Sequence, residues 1–183
     1  QFKGSTGIVT SVAWSPNGKK LAAGDDINFV GGGKKRTVKI WDVQTGTNVF
    51  TFKEHVDSEK DLGGLNITWS PDGEKIASGM PRHFASLKVW KVSSGEILYT
   101  LKGTSATWSP DGKRIATISE NGHVKVSDAL TGKELFEFLS RRERMDLDLT
   151  DYTFFKFLSW SPDGKKLAIA GKSNILIWAM PEG

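Results

Sequence analysis

The sequence predicts an all-β chain made of four consecutive small antiparallel sheets, and three observations carry that expectation. One block occurs four times, at Trp14 to Ala22, Trp69 to Ala77, Trp108 to Ala116 and Trp160 to Ala168. Each copy reads Trp-Ser-Pro-Asn/Asp-Gly, two charged residues, Leu or Ile, then Ala. A second block follows each first one, at Val38 to Gly46, Leu87 to Gly95, Val124 to Gly132 and Ile175 to Gly183. Repetition of two linked blocks is the signature of a repeat architecture. No stretch shows sustained helical periodicity, and only Ser140 to Asp148 could form a turn or two of helix.

Each repeat reads as four short strands. Ile8, Thr10, Val12 and Trp14 mark a period of two, as in a half-buried strand. Ser-Pro-Asn/Asp-Gly is turn chemistry, in which Pro presets one corner and Gly accepts positive φ. Leu21 to Ala23 forms a second short strand. Val38 to Val43 is a third, closed by the turn at Gln44 to Gly46. Asn48 to Phe52 is a fourth. The expected units are residues 8–53, 65–102, 104–139 and 157–183, the last without its outer strand.

Composition limits the alternatives. With 38% apolar and 25% charged residues the chain has a globular balance. No run approaches 18 apolar residues, so no membrane-spanning helix is expected. The N-terminal residues lack a signal-peptide pattern, which favours the cytoplasm. Zero Cys excludes disulfides, thiolate zinc sites and cysteine nucleophiles, and three His leave little for a histidine metal site. The net charge of +4 fits solubility before it argues for nucleic acid.

Four-stranded units with Trp in the third strand resemble the WD-repeat (Trp-Asp) β-propeller family. The resemblance covers essentially the whole chain. Only Trp41-Asp42 keeps the signature dipeptide; the others read Trp90-Lys91, Ser127-Asp128 and Trp178-Ala179. The TolB-like propeller shares the Ser-Pro-Asp-Gly turn, but Val38 to Gly46 favours the WD-repeat pattern. The family's blades are often tied by a buried Asp, His, Ser/Thr and Trp network. Every repeat here departs from it. Asp25 and Trp41 face an Ala23. Ser78 and Trp90, with His55, lack the Asp turn, which is Met80-Pro81-Arg82. Thr117 meets Ser127, and Trp178 meets Ile169. A half-made buried polar network costs more than none, so blade-to-blade apolar packing is expected to supply the stability.

The resemblance implies a partial ring. Gly183 aligns with Gly46, Gly95 and Gly132, and nothing after it supplies a fourth strand. Gln1 to Gly4 matches the tail of such a strand. Four blades are fewer than the family's usual closed ring. Two expectations stay open: a segment of a longer propeller, or a half-ring that pairs with another copy.

Function is expected on one face. First-to-second and third-to-fourth turns are short and uniform, while the opposite face carries the inserts 25–36, 54–64, 80–86 and 140–155. Loops on a rigid scaffold concentrate binding residues, and aromatics mixed with Arg make interface anchors. The partner-binding candidates are Phe29, Lys34, Lys35, Arg36, Asp57, Lys60, Arg82, His83, Phe84, Arg141, Arg142, Arg144 and Tyr152. Phe154 and Phe155 read first as a strand running into the core. The basic clusters likewise read first as solvated surface.

Catalytic chemistry is not legible. Gly31 to Lys35 lacks the spacing and strand-to-helix context of a phosphate loop. Asp146, Asp148 and Asp151 miss the ligand spacing of a calcium loop. His55, His83 and His123 fall in different repeats, and no nucleophile elbow is present. The expectation is a non-enzymatic protein-interaction scaffold with no catalytic, cofactor or metal residues. A recognition segment of a larger multidomain protein is the alternative. Nucleic-acid binding through Lys34 to Arg36 and Arg141 to Arg144 is a further one.

Overall fold

A computed structural model describes residues 7–28, 34–56, 65–79, 86–119, 122–138, 157–170 and 175–181. These residues contain no helix. Fifteen strands form four antiparallel sheets with meander order. The first blade is β1 (Ile8–Trp14), β2 (Lys20–Asn28), β3 (Lys34–Asp42) and β4 (Asn48–Val56). The second is β5 (Asn66–Trp69), β6 (Lys75–Gly79), β7 (Ser86–Lys91) and β8 (Ile97–Lys102). The third is β9 (Ser105–Trp108), β10 (Arg114–Ile118), β11 (Val124–Asp128) and β12 (Glu134–Phe138). The fourth has three strands: β13 (Phe157–Trp160), β14 (Lys166–Ala170) and β15 (Ile175–Ala179). The inner strands adjoin in chain order: β1 beside β5, β5 beside β9, and β9 beside β13. Among the described residues β13 makes no comparable approach to β1, so the ring is open.

The Ser-Pro-Asn/Asp-Gly turn closes identically each time. Ser109 N–H donates to the Arg114 carbonyl and Gly112 N–H to the Ser109 carbonyl, each at 2.9 Å. The Ser109 hydroxyl donates to Asp111 Oδ1 at 2.6 Å, and Lys113 N–H donates to the same oxygen at 3.0 Å. Asn17 does the same work uncharged, accepting from the Ser15 hydroxyl at 2.9 Å and from Lys19 N–H at 3.0 Å. The turn therefore needs an amide or carboxylate oxygen two residues after Ser, not a charge.

The core lies between blades and not within them, as a two-layer stack requires. Ala22, Val38, Ile40 and Phe52 of the first blade pack on Leu65, Trp69, Ile76 and Trp90 of the second. Ala77, Leu87, Val89 and Leu101 meet Trp108, Ile115 and Ala129. Ala116, Val124 and Val126 meet Trp160, Leu167 and Ile169. Fourth-strand residues of one blade cover the third-strand Trp of the next. Phe52 stacks on Trp90 with centroids 4.5 Å apart, and Phe138 on Trp178 at 4.8 Å. Leu101 stands in the matching place in β8, where the residue opposite is Ser127 and not Trp.

Two expectations are corrected here. Residues 25–28 and 34–36 are strand and not loop: β2 and β3 pair Asp25 with Thr37, Asp26 with Arg36, Ile27 with Lys35 and Asn28 with Lys34, and residues 29–33 lie outside the described ones. A sheet ladder pairs backbone donors and acceptors that a loop would leave to water, and Ile27 and Thr37 suit strands. Lys34, Lys35 and Arg36 thus lie in β3. His55, expected in the link between blades, lies in β4 with its backbone opposite Arg36.

Candidate functional site

The two ends of the blades differ. At one end, the β1–β2, β5–β6, β9–β10 and β13–β14 turns each span five residues, as do the β3–β4, β7–β8 and β11–β12 turns. At the other end the links vary widely. Between β8 and β9 there are only Gly103 and Thr104, while residues 57–65 and 139–156 separate the neighbouring pairs of blades. The short link is tied down: Thr104 hydroxyl donates to the Ile118 carbonyl at 3.0 Å. Asn66 Nδ2 donates to the Thr104 carbonyl.

The first blade stands proud at that variable end. β2 continues past Gly24 through Asp25–Asn28, whereas β10 of the third blade stops at the equivalent Ile118. At about 3.4 Å per residue, the added stretch of β2 is about 13 Å long. Its base is polar and buried. Asp25 is fully buried, accepts from Gly7 N–H at 3.0 Å and forms an ion pair with Lys39. Arg36 is fully buried as well. This removes Arg36 from any exposed basic patch, because strand alternation puts its side chain on a covered face, which a loop reading could not foresee.

Of the other sequence candidates, Lys34 and Lys35 sit at the distal part of β3. Phe29, Asp57, Lys60, Arg82, His83, Phe84, Arg141, Arg142, Arg144 and Tyr152 lie outside the described residues. So do the helical turn considered for 140–148, the Asp146 to Asp151 cluster, and Phe154 and Phe155. His123 is half-exposed at the same end, with Nδ1 3.3 Å from Glu137 Oε1. That contact, with help from Lys125, holds the Glu137 carboxyl below its usual value against slight desolvation. No group of three or more metal-ligating side chains occurs among the described residues.

The Ser78 and Trp90 members of the polar network are joined. Trp90 Nε1 donates to the Ser78 hydroxyl at 2.9 Å, both residues being fully buried. Other ties cross between blades, and sequence reading missed them. Trp69 Nε1 donates to the Ala13 carbonyl at 3.0 Å and Trp160 Nε1 to the Thr107 carbonyl at 3.2 Å. Tyr99 Oη donates to the Ala129 carbonyl at 2.7 Å, and burial, with the nearby Asp128 charge, pushes its pKa up to about 12. Arg114 reaches from the third blade to the Gly164 carbonyl at 3.1 Å and lies 5.1 Å from the Trp160 ring centre. Recurrence of Trp before Ser-Pro was the signal for the Trp ties; nothing local marked Tyr99 or Arg114.

The family model for the WD domain, G-beta repeat, matches residues 1–42 and 95–128. The chain belongs to the WD-repeat family. Protein HIR1 of Eremothecium gossypii is 29% identical over 92% of this chain and 21% of its own length. Cell division cycle 20.5, a cofactor of the APC complex in Arabidopsis thaliana, is 26% identical over 78% of this chain and 30% of its own length. WD repeat-containing protein AAC3 of Dictyostelium discoideum is 27% identical over 53% of this chain. This WD-repeat chain spans 20% to 30% of these curated relatives. A chain in the crystal structure of the mitotic checkpoint complex superposes with a TM-score of 0.69 at 20% identity. That match covers 95% of this chain and 51% of the other. It shows the fold.

Proposed function

We propose that this WD-repeat chain is a non-enzymatic scaffold that binds a protein partner through the variable end of its blades. One observation carries the reading. Every turn at the opposite end has the same length, and each of its two turn types repeats the same backbone hydrogen bonds, whereas the β2–β3 ribbon and the links 57–65 and 139–156 diversify this end. A stacked scaffold holds its loops rigidly, and diversified loops on such a scaffold carry recognition. One relative is named as a cofactor of the APC complex, and one structural neighbour comes from the mitotic checkpoint complex. That supports a protein partner in general terms.

The test compares two sets of variants against one partner recovered with the unaltered chain. Arg141→Glu with Arg142→Glu, and separately Phe84→Ala, are expected to weaken its binding at least tenfold. Lys19→Glu and Lys133→Glu, at the uniform turns, leave it unchanged. Loss at the turns with retention at the loops would place the surface at the wrong end.

A second reading has its own support. Relatives three to five times longer than the span matched here fit a recognition segment inside a larger multidomain protein. Removal of Arg36 from the surface weakens the nucleic-acid alternative. Binding to a nucleic-acid pool that falls steeply with salt would restore it.

A further inference from the structure

The block from Trp14 to Ala22 and the block from Trp160 to Ala168 differ at one position, Asn17 against Asp163. The second and third copies also carry Asp there, as Asp72 and Asp111. The two kinds of side chain are held alike. Asn17 Oδ1 accepts from the Ser15 hydroxyl at 2.9 Å and from Lys19 N–H at 3.0 Å. Asp163 Oδ1 accepts from the Ser161 hydroxyl at 2.5 Å and from Lys165 N–H at 2.9 Å. Gly18 N–H donates to the Ser15 carbonyl and Gly164 N–H to the Ser161 carbonyl, both at 2.9 Å. Lys20 N–H and Lys166 N–H each donate to the serine hydroxyl of their own turn, again at 2.9 Å. The fold therefore already contains, three times, the turn that Asn17 would form after losing its amide nitrogen.

Asn before Gly is the pair in which that loss is easiest, because glycine has no side chain to hinder attack by its nitrogen on the Asn amide carbon. Asn17 is exposed. Asp72 and Asp111 are exposed too, in blades with a neighbour on either side, so access at this position does not depend on a blade's place in the row. The turn controls the geometry instead. Reaction needs the Gly18 nitrogen free of its proton and Asn17 Cγ turned onto it. In the closed turn that N–H is engaged with the Ser15 carbonyl, and the Asn17 amide oxygen is held by Ser15 and Lys19.

We propose that Asn17 is a deamidation site, gated by its turn and converted to the aspartate that the fold accommodates in the other three blades. When the turn opens, hydroxide removes the Gly18 amide proton and the nitrogen attacks Asn17 Cγ. The new C–N bond forms, the Cγ–Nδ2 bond breaks, and Nδ2 leaves as ammonia with a proton returned from water. Water then opens the cyclic imide. Addition at Cγ gives aspartate, and addition at the main-chain carbonyl carbon gives isoaspartate; no oxidant or reductant is consumed. The aspartate rebuilds the turn, with Ser15 and Lys19 donating as before. In the fourth blade the same donors, the Ser161 hydroxyl first and Lys165 N–H second, hold the Asp163 carboxyl below its ordinary value. Aspartate at position 17 is thus ionised at neutral pH and lowers the formal net charge of +4 by one. Isoaspartate adds a methylene to the main chain, so the Ser15-to-Gly18 hydrogen bond no longer spans a turn of four residues.

The test is incubation of the 183-residue chain in mildly alkaline buffer, native and in urea. Peptide mapping resolves residue 17 from the other Asn-Gly pair, at 121–122. Conversion at residue 17 is expected in both states, slower in the native chain by about tenfold or more, because only the opened turn reacts. The aspartyl and isoaspartyl chains share one mass and one charge and are separated by chromatography. The aspartyl product should melt with Asn17→Asp and within about 2 °C of the wild type, and the isoaspartyl product roughly 2–4 °C or more below both. Asp111→Asn places the same pair in a blade with two neighbours and should acquire the same gated reactivity. Conversion as fast in the native chain as in urea would overturn the gating, and no conversion in either state would overturn the site. An Asn17→Asp chain that melts with the isoaspartyl product would overturn the accommodation. Reaction at residue 17 with none in Asp111→Asn would tie the chemistry to the first blade and overturn the role of the turn.

Discussion

Gly95→Ala against Gly46→Ala isolates what blade stacking contributes. Both glycines end the turn before a fourth strand, and their φ angles are +73° and +69°. Each alanine therefore meets the same left-handed penalty, about 1–2 kcal/mol, eased by roughly 0.4–1 kcal/mol from a stiffer unfolded chain. Their surroundings differ. A Cβ at Gly46 meets no atom within 4 Å, while one at Gly95 falls 2.5 Å from Phe50 Cζ. Phe50 comes from β4 of the preceding blade and is stacked near Trp90 at 5.9 Å, so its ring has little room to retreat. Overpacking of this kind costs about 1–3 kcal/mol more. For a chain of this size each kcal/mol shifts Tm by about 2–4 °C, so Gly95→Ala should melt roughly 2–12 °C below Gly46→Ala. The assay is thermal unfolding followed by circular dichroism, in the wild-type and Phe50→Leu backgrounds. The smaller Leu relieves the clash, and the gap should narrow there. Equal melting of the two alanine variants, or a gap indifferent to residue 50, would refute the claim that the third-to-fourth turn is pressed by its neighbour blade.

Three further outcomes are expected. Ser78→Ala strands the buried Trp90 indole N–H, at a cost of about 1–3 kcal/mol in urea unfolding, and Trp90→Phe in the same chain should abolish most of that cost; independence of the two changes would exclude the bond as its source. The Asp111 carboxyl is held below its ordinary 3.8 by the Ser109 hydroxyl, against partial burial, with Lys113 N–H adding to the effect. A depressed folded pKa stabilises above the unfolded value, and that contribution disappears as pH falls from about 4 through the lower folded value. Asp111→Asn, copying Asn17, should therefore keep the turn and flatten part of the acid sensitivity in unfolding measured between pH 2 and 5; an unaltered acid limb would contradict this. Arg114→Met removes the guanidinium donors to the fourth blade while keeping most of the stem, and hydrogen exchange in β13 and β14 should speed up relative to β5 and β6. Uniform exchange across the blades would mean that Arg114 does not staple them.

How much was legible depended on whether a residue's role repeats. The two linked blocks determined the strands, the turns and the number of blades, because period-two burial and Ser-Pro-Asn/Asp-Gly geometry are local properties that four copies state four times. The departures from the polar network, such as Ala23 and Ile169, were equally readable as apolar packing, and the cores do lie between blades. Single-copy features were not readable in this way. Residues 25–36 carry glycines and basic residues that look like a loop, yet Asp25 to Asn28 pair with Lys34 to Thr37 as a ribbon. Strand pairing is a long-range choice, set by which backbone groups find partners and not by composition. The burial of Arg36 and the Asp25–Lys39 pair follow from that register. Likewise Trp14 and Trp69 occupy equivalent positions of the repeated block, and one is exposed while the other is buried. The sequence by itself determined that each blade carries a Trp to insert and two aliphatic residues to receive it. Only the tertiary structure decided which blades have a neighbour, because burial is a property of the contact and not of the residue.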